Sequence, residues 1–211
     1  MKSLLCFGDS NTYGTMPLTR RDDARRHGPG ERWPGVMRLA LGADWHVVEE
    51  GMPGRTLGRD DPVDGENRNA FRLLPALLQS HRPLDRMICM LGTNDLKACF
   101  GATPLQIAAG LHTVIDMTVA CGLPSMPAPA LLLVAPPPIS EVGCLAGMFA
   151  AGADKAVQLA ALYRQVALQR GVDFFDAGSA AAVSAHEGIH MDAAAHVALG
   201  RALAAWLQAR D

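Results

Sequence analysis

Five short apolar runs punctuate the chain: Ser3–Phe7, His46–Glu50, Met87–Leu91, Leu131–Ala135 and Val172–Phe175. Each is apolar over most of its length or rich in Val, Ile and Leu, the pattern of strands buried on both faces of a parallel sheet. Between them, apolar residues recur at three- and four-residue intervals over Trp33–Leu41, Phe71–Leu78, Leu105–Ala120, Asp154–Gln169 and Ala193–Gln208, which predicts helices. Thr103-Pro104 reads as an N-cap followed by proline at the first helical position. Strand alternating with helix implies right-handed crossovers, so the expected fold is α/β, a doubly wound sandwich with its first strand placed centrally.

Three segments fall outside this pattern. Thr15–Glu31 is polar and carries the mixed run Arg20-Arg21-Asp22-Asp23-Ala24-Arg25-Arg26, either a solvated loop or a surface that pairs with another subunit. Arg59–Asn69 is a second polar loop. Pro136–Gly152 holds Ile139, Val142, Leu145, Met148 and Phe149 without a helical pattern. An apolar loop of this kind needs substrate, core or a neighbouring subunit to lie against.

Composition narrows the setting. A chain of 211 residues, 49% hydrophobic, suits one domain spanning residues 1–211 and buries a core without staples. Its net charge of −2 argues against nucleic acid as a partner, because phosphate affinity needs a basic excess. The longest apolar runs, such as Ala128–Ala135, are far shorter than the ~20 residues of a membrane helix. Met1–Phe7 runs straight into Gly-Asp-Ser with no secretory pattern, so a cytoplasmic location is expected. The five cysteines are odd in number and include no CxxC pair, which fits reduced thiols and neither a disulfide framework nor a zinc site.

The chemistry lies just beyond the C-terminal ends of the strands. Gly8-Asp9-Ser10-Asn11 comes after the first, Gly51-Met52-Pro53-Gly54-Arg55-Thr56 after the second, and Gly92-Thr93-Asn94-Asp95 after the third. Asp176 and then Glu187-Gly188-Ile189-His190 come after the fifth. In an open parallel sheet the C-terminal strand ends share one edge, where ligands bind at the topological switch point. A serine hydroxyl needs an adjacent base to become a nucleophile, and a histidine needs a carboxylate to orient it. Ser10, His190 and Glu187 supply that set. The backbone N–H groups of Ser10 and Gly54, with the Asn94 amide, suit a developing oxyanion. Asp9 and Asp95 brace their loops, Asp192 caps the last helix, His196 is a packing or surface residue, His186 faces solvent, and Gly178-Ser179 is structural. Arg55 either binds an acidic substrate or holds its loop.

These four blocks, in this order and across the whole chain, resemble the SGNH (GDSL-like) hydrolase superfamily. Longer stretches are similar to its bacterial arylesterase/acyltransferase branch: Leu5–Ser10, Glu49-Glu50-Gly51, Met90–Ala98, Pro136-Pro137-Pro138 and Phe174–Ser179. The resemblance implies a flavodoxin-like three-layer α/β/α sandwich with a five-stranded parallel sheet. It implies hydrolysis of short-chain and aryl carboxylic esters through an acyl-enzyme, with acyltransferase or perhydrolase side activity. It also implies no cofactor, no metal, and large homo-oligomers such as octamers. Transferred residue by residue, Ser10 is the nucleophile, His190 the base, Glu187 the acid, and Ser10, Gly54 and Asn94 the oxyanion hole. Two positions depart from the family pattern: Glu187 stands where aspartate is usual, and Asn11 where leucine is commoner, which changes the polarity beside the nucleophile.

Other readings of the same residues are a carbohydrate acetylesterase, with identical machinery, and a non-catalytic flavodoxin-like binding or assembly module. The two glycines of Gly8–Gly14 lie six apart and make no GxGxxG phosphate loop, which counts against a nucleotide binder. The expected partner is a small uncharged ester, with no nucleic acid and no membrane.

Overall fold

Alternating side chains on five strands feed two separate apolar layers, and this divides the molecule. In the computed structural model, which describes residues 1–210, the strands are β1 (Lys2–Gly8), β2 (Trp45–Gly51), β3 (Arg86–Met90), β4 (Ala130–Ala135) and β5 (Asp173–Asp176). They form one parallel sheet in the order β2-β1-β3-β4-β5. The helices are α1 (Ser10–Tyr13), α2 (Trp33–Leu41), α3 (Ala70–Ser80), α4 (Pro104–Ala120), α5 (Ala153–Arg170) and α6 (Ala193–Gln208). Leu5, Phe7, Met87, Cys89, Leu131 and Leu133 join a core with α3, α4 and α5. The intervening Leu4, Cys6, Ile88, Met90, Leu132 and Val134 pack against α2 and α6 on the other face. The fold is therefore the expected α/β/α sandwich. β1 is an interior strand, but β3 occupies the centre, because the chain crosses from β2 at one edge over β1 and then adds strands in one direction only.

The helical pattern located α2 and α6 to the residue and α3, α4 and α5 to within two residues. Thr103 and Gln106 form a full capping box on α4: Thr103 Oγ1 accepts from Gln106 N at 3.2 Å, and Gln106 Oε1 accepts from Thr103 N at 2.9 Å. Periodicity did not predict α1, a single turn too short to show a repeat. Asp9 Oδ1 starts it by accepting from Asn11 N at 2.9 Å, and Gly14 ends it at φ +90°.

The unassigned segments find partners within the chain. Ile139, Leu145 and Phe149 of the 136–152 loop are buried in the same core as α3–α5, so of the three coverings open to that loop the core takes most of its apolar residues. In the 15–31 segment Arg20 pairs with Asp22 and Arg25 with Asp23, exposed local contacts of little energetic weight. The anchoring contacts lie at its far end. Arg26 Nε donates to Tyr13 O at 2.7 Å with its guanidinium 3.7 Å above the Tyr13 ring, and His27 Nε2 donates to Met191 O at 3.3 Å.

His196 on α6 is buried, with Nδ1 accepting from Trp33 N at 3.3 Å and its ring 4.9 Å from that of His27. Burial, reinforced by His27, His190 and Arg32, pushes its pKa down from 6.5 to about 3. The unfolded chain therefore takes up a proton below about pH 6.5 that the folded chain refuses until about pH 3, and stability falls as pH drops through that window. In urea unfolding, His196→Asn, which keeps an acceptor for Trp33 N, should lose about 2 kcal/mol less than the wild type between pH 7 and pH 5. The buried Asp9 and Asp95, raised to about 6 and about 7, act with the opposite sign but are common to both proteins and cancel. A wild-type-to-variant difference that does not vary with pH would contradict this account.

Candidate active site

Ser10 stands at the switch point because α1 rests directly on two strand ends. Gly8 and Gly51 are register partners at the tips of β1 and β2. A Cβ on Gly8 would fall 2.0 Å from Thr12 Oγ1, and one on Gly51 would fall 2.1 Å from Tyr13 N, so only glycine lets the turn settle there. The turn aims Ser10 across the sheet edge at the loop before α6. Ser10 Oγ–H donates to His190 Nε2 at 3.0 Å, and His190 Nδ1–H donates to Glu187 Oε1 at 2.8 Å.

Glu187 is fully buried, and its second oxygen accepts from Ile189 N at 3.0 Å and His190 N at 2.7 Å. The longer side chain is accommodated because it folds back along its own loop onto these two amides. Gly188, at φ +84°, allows that turn, since a Cβ there would meet Ser140 O at 2.1 Å. Burial pulls the Glu187 carboxyl up, but the bond to His190, the imidazole charge and the two N–H donors outweigh it and hold the group below the usual range. Asn11 fastens the same loop: Nδ2 donates to Ile189 O at 3.0 Å and Oδ1 accepts from Met191 N at 3.0 Å. Its amide thus holds backbone on either side of His190, a positioning contact rather than an open polar group beside the nucleophile.

Ser10, Gly54 and Asn94, the expected oxyanion donors, line one cavity. The N–H groups of Ser10 and Gly54 have no acceptor among the described residues, and Gly54 lies at φ +78°. Asn94 follows β3, and its Nδ2 donates one hydrogen to Arg55 O at 3.1 Å, which fixes the amide plane beside the cavity. Arg55 binds no substrate group. It is buried, donates through Nη1 to Gly8 O at 2.8 Å and to Glu50 O, and lies 4.3 Å over the Phe7 ring. It ties β1 and β2 to the loop, the second of the two roles expected of it, through backbone carbonyls instead of a salt bridge. Asp95 accepts from Leu57 N at 2.9 Å and braces the same loop. Asp192 caps α6 through Ala195 N at 2.8 Å, Ser179 Oγ donates to Asp176 O at 2.6 Å, and His186 is exposed.

A cavity of about 490 Å³ opens over Ser10 and His190. Leu18, Leu145, Met148, Phe149 and Ile189 give it an apolar lining, and Arg21, Asp23, Arg25, Asp64, Arg68 and Lys97 a charged one. There Lys97 Nζ, buried, donates to Asp61 and Asp64 at 2.6 Å each. Sequence reasoning missed this cluster, Arg68 and the role of Asn11. Their local signals were only a polar loop and a residue that departs from the family pattern. Among the described residues no group of three or more His, Cys, Asp or Glu is placed to hold a metal, and no helix is long and apolar enough to cross a membrane.

The family model for the GDSL-like lipase/acylhydrolase family matches residues 6–198. An aryl esterase from M. smegmatis superposes with a TM-score of 0.95 at 39% identity, covering 99% of each chain. Est24, a carbohydrate acetylesterase from Sinorhizobium meliloti, superposes with a TM-score of 0.96 at 39% identity over 100% of each chain. Comparison with curated proteins gave no match. With Ser10, His190 and Glu187 in hydrogen-bonded sequence and a family match across nearly its whole length, the chain belongs to the GDSL-like lipase/acylhydrolase family and is a carboxylic ester hydrolase.

Proposed function

We propose that the protein hydrolyses short-chain and aryl carboxylic esters through a covalent acyl intermediate on Ser10. The observation that carries this reading is the unbroken chain Ser10–His190–Glu187, at 3.0 and 2.8 Å, beside two free backbone donors. His190 Nε2 takes the Ser10 proton as Oγ attacks the ester carbonyl, and Glu187 holds the imidazolium that forms. Negative charge grows on the carbonyl oxygen, which accepts from the Ser10 and Gly54 N–H groups and the second Asn94 N–H. His190 returns the proton to the departing alcohol, and water then repeats the sequence on the acyl group. The apolar wall of Leu145, Met148 and Phe149 supports competition by an alcohol or peroxide for the acyl group, since it offers water few partners. The cavity's size supports a small acyl group, and the similarity to an aryl esterase supports a flat leaving group. The charged wall and the similarity to Est24 favour a second reading, an acetylated sugar, separated from the first by an ester panel.

Ser10→Ala should cut hydrolysis of a p-nitrophenyl short-chain ester by roughly 10³-fold or more and abolish fluorophosphonate labelling. Activity within tenfold of wild type sinks the reading. Asn94→Ala should lower kcat by roughly 10²–10³-fold with little change in KM, because its amide acts on the developing charge. Glu187→Gln leaves one acceptor oxygen for three donors and sets the wrong imidazole tautomer, so kcat should fall by roughly 10⁴-fold while circular dichroism stays native. A negligible effect moves the acid role to another carboxylate. Self-association is supported by the exposed Val63 at the cavity and the exposed Val142 on the loop that lines it. Light scattering should give a multiple of 22.4 kDa, and a monomer mass refutes assembly.

A further inference from the structure

The charged wall of the cavity is not evenly paired. Arg21, Arg25, Arg68 and Lys97 line it together with Asp23 and Asp64. Arg25 is held by Asp23, with Nη2 at 2.6 Å, and Lys97 is held by Asp61 and Asp64 at 2.6 Å each. Both lining carboxylates are thereby committed. Arg21 has only a backbone carbonyl, Cys144 O, 3.4 Å from its Nε.

Arg68 has no partner for its guanidinium among the described residues. Its Nε is buried and bonds to nothing, and the side chain lines the cavity. The residue is held in place by backbone: its N–H donates to Gly65 O at 3.2 Å and its C=O accepts from Thr56 N at 3.0 Å. The stem lies against the oxyanion loop beside Asp64: a Cβ on Gly54 would sit 3.2 Å from Asp64 Oδ2, 3.4 Å from Arg68 Cδ and 3.5 Å from its Nε, yet Asp64 Oδ2 accepts from Lys97 and Arg68 Nε bonds to nothing. A half-buried guanidinium with an unsatisfied Nε is costly unless something accepts from it. The planar fork matches a carboxylate in geometry as well as charge. Arg21 and Arg68 are thus two cations without a carboxylate at the cavity, against the single surplus negative charge of the Lys97, Asp61 and Asp64 group.

We infer that the preferred ester carries a carboxylate, received by Arg68 beside the oxyanion loop. This rests on the esterase reading and replaces the expected uncharged substrate with an anionic one. The carboxylate has two candidate sources: the acyl part, as in the half-ester of a dicarboxylic acid, or the alcohol part, as in an acetylated hydroxy acid.

Two pairs matched in shape distinguish them by pH-stat at pH 7.5: monoethyl glutarate against ethyl 5-methylhexanoate, and 4-acetoxybenzoate against its methyl ester. In each pair the readout is the ratio of kcat/KM for the anionic ester to that for the neutral one. Arg68→Gln should lower this ratio at least fivefold in one pair, mainly through KM, and Arg68→Lys should recover part of it. Raising the salt from 50 to 500 mM should lower the wild-type ratio and leave that of Arg68→Gln little changed. A fall of less than fivefold in both pairs, with neutral esters still turned over, overturns the inference and leaves the esterase reading standing. If no ester of either kind is hydrolysed and Ser10 resists fluorophosphonate, both fall together.

Discussion

Asn11 follows the nucleophile and brackets the base, with Nδ2 on Ile189 O and Oδ1 on Met191 N, each at 3.0 Å. The two halves of the site are separated by 180 residues, so the Ser10–His190 bond exists only if α1 and the loop before α6 are held in one relative position. A near-attack arrangement tolerates errors of well under an ångström. A buried primary amide that donates to one side of His190 and accepts from the other supplies that tolerance. Both of its polar ends are satisfied, which is what makes a buried amide rigid rather than costly.

Around that clamp the site is built from buried polar groups that each satisfy the backbone of a loop. Asp9 starts α1, Asp95 holds the loop carrying Leu57, and Arg55 reaches the carbonyls of Gly8 and Glu50. Burial raises the Asp9 and Asp95 carboxyls to about 6 and about 7, and lowers Arg55 to about 10. Such groups weaken a fold when unpaired, and here they fix the three strand-end loops that a sheet alone leaves free. Glu187 differs in direction: four contributions from His190 and two backbone amides overcome burial and keep it ionised for its partner. Glutamate at a position where aspartate is expected is absorbed locally, by the turn at Gly188, with Oε1 2.8 Å from His190 Nδ1.

The strands, the five long helices and the order of chemical blocks were legible in the sequence, because period-two and period-3.6 patterns report burial directly. That Ser10, Gly54, Asn94, Glu187 and His190 come together was legible because a parallel sheet puts every strand's C-terminal end on one edge, so position along the chain implies position in space. Other features were not legible, each for a definite reason. The single turn α1 is shorter than one detectable repeat. The 136–152 loop looked available to a neighbour, yet Ile139, Leu145 and Phe149 enter the chain's own core. Whether Arg55 would bind substrate or hold its loop was open, and only the fold turns its guanidinium inward over Phe7.

By itself the sequence determined the fold and the reaction class, since these depend on local patterns and on strand order. Which cations are spent and which are spare was decided only by tertiary structure. Lys97 meets Asp61 and Asp64 across more than 30 residues of chain, while Arg68 on the same wall meets no carboxylate among the described residues. Net charge sums over the whole surface and averages such differences away. Pairing depends on distances of a few ångströms, and those exist only once the loops have been folded against the strand ends.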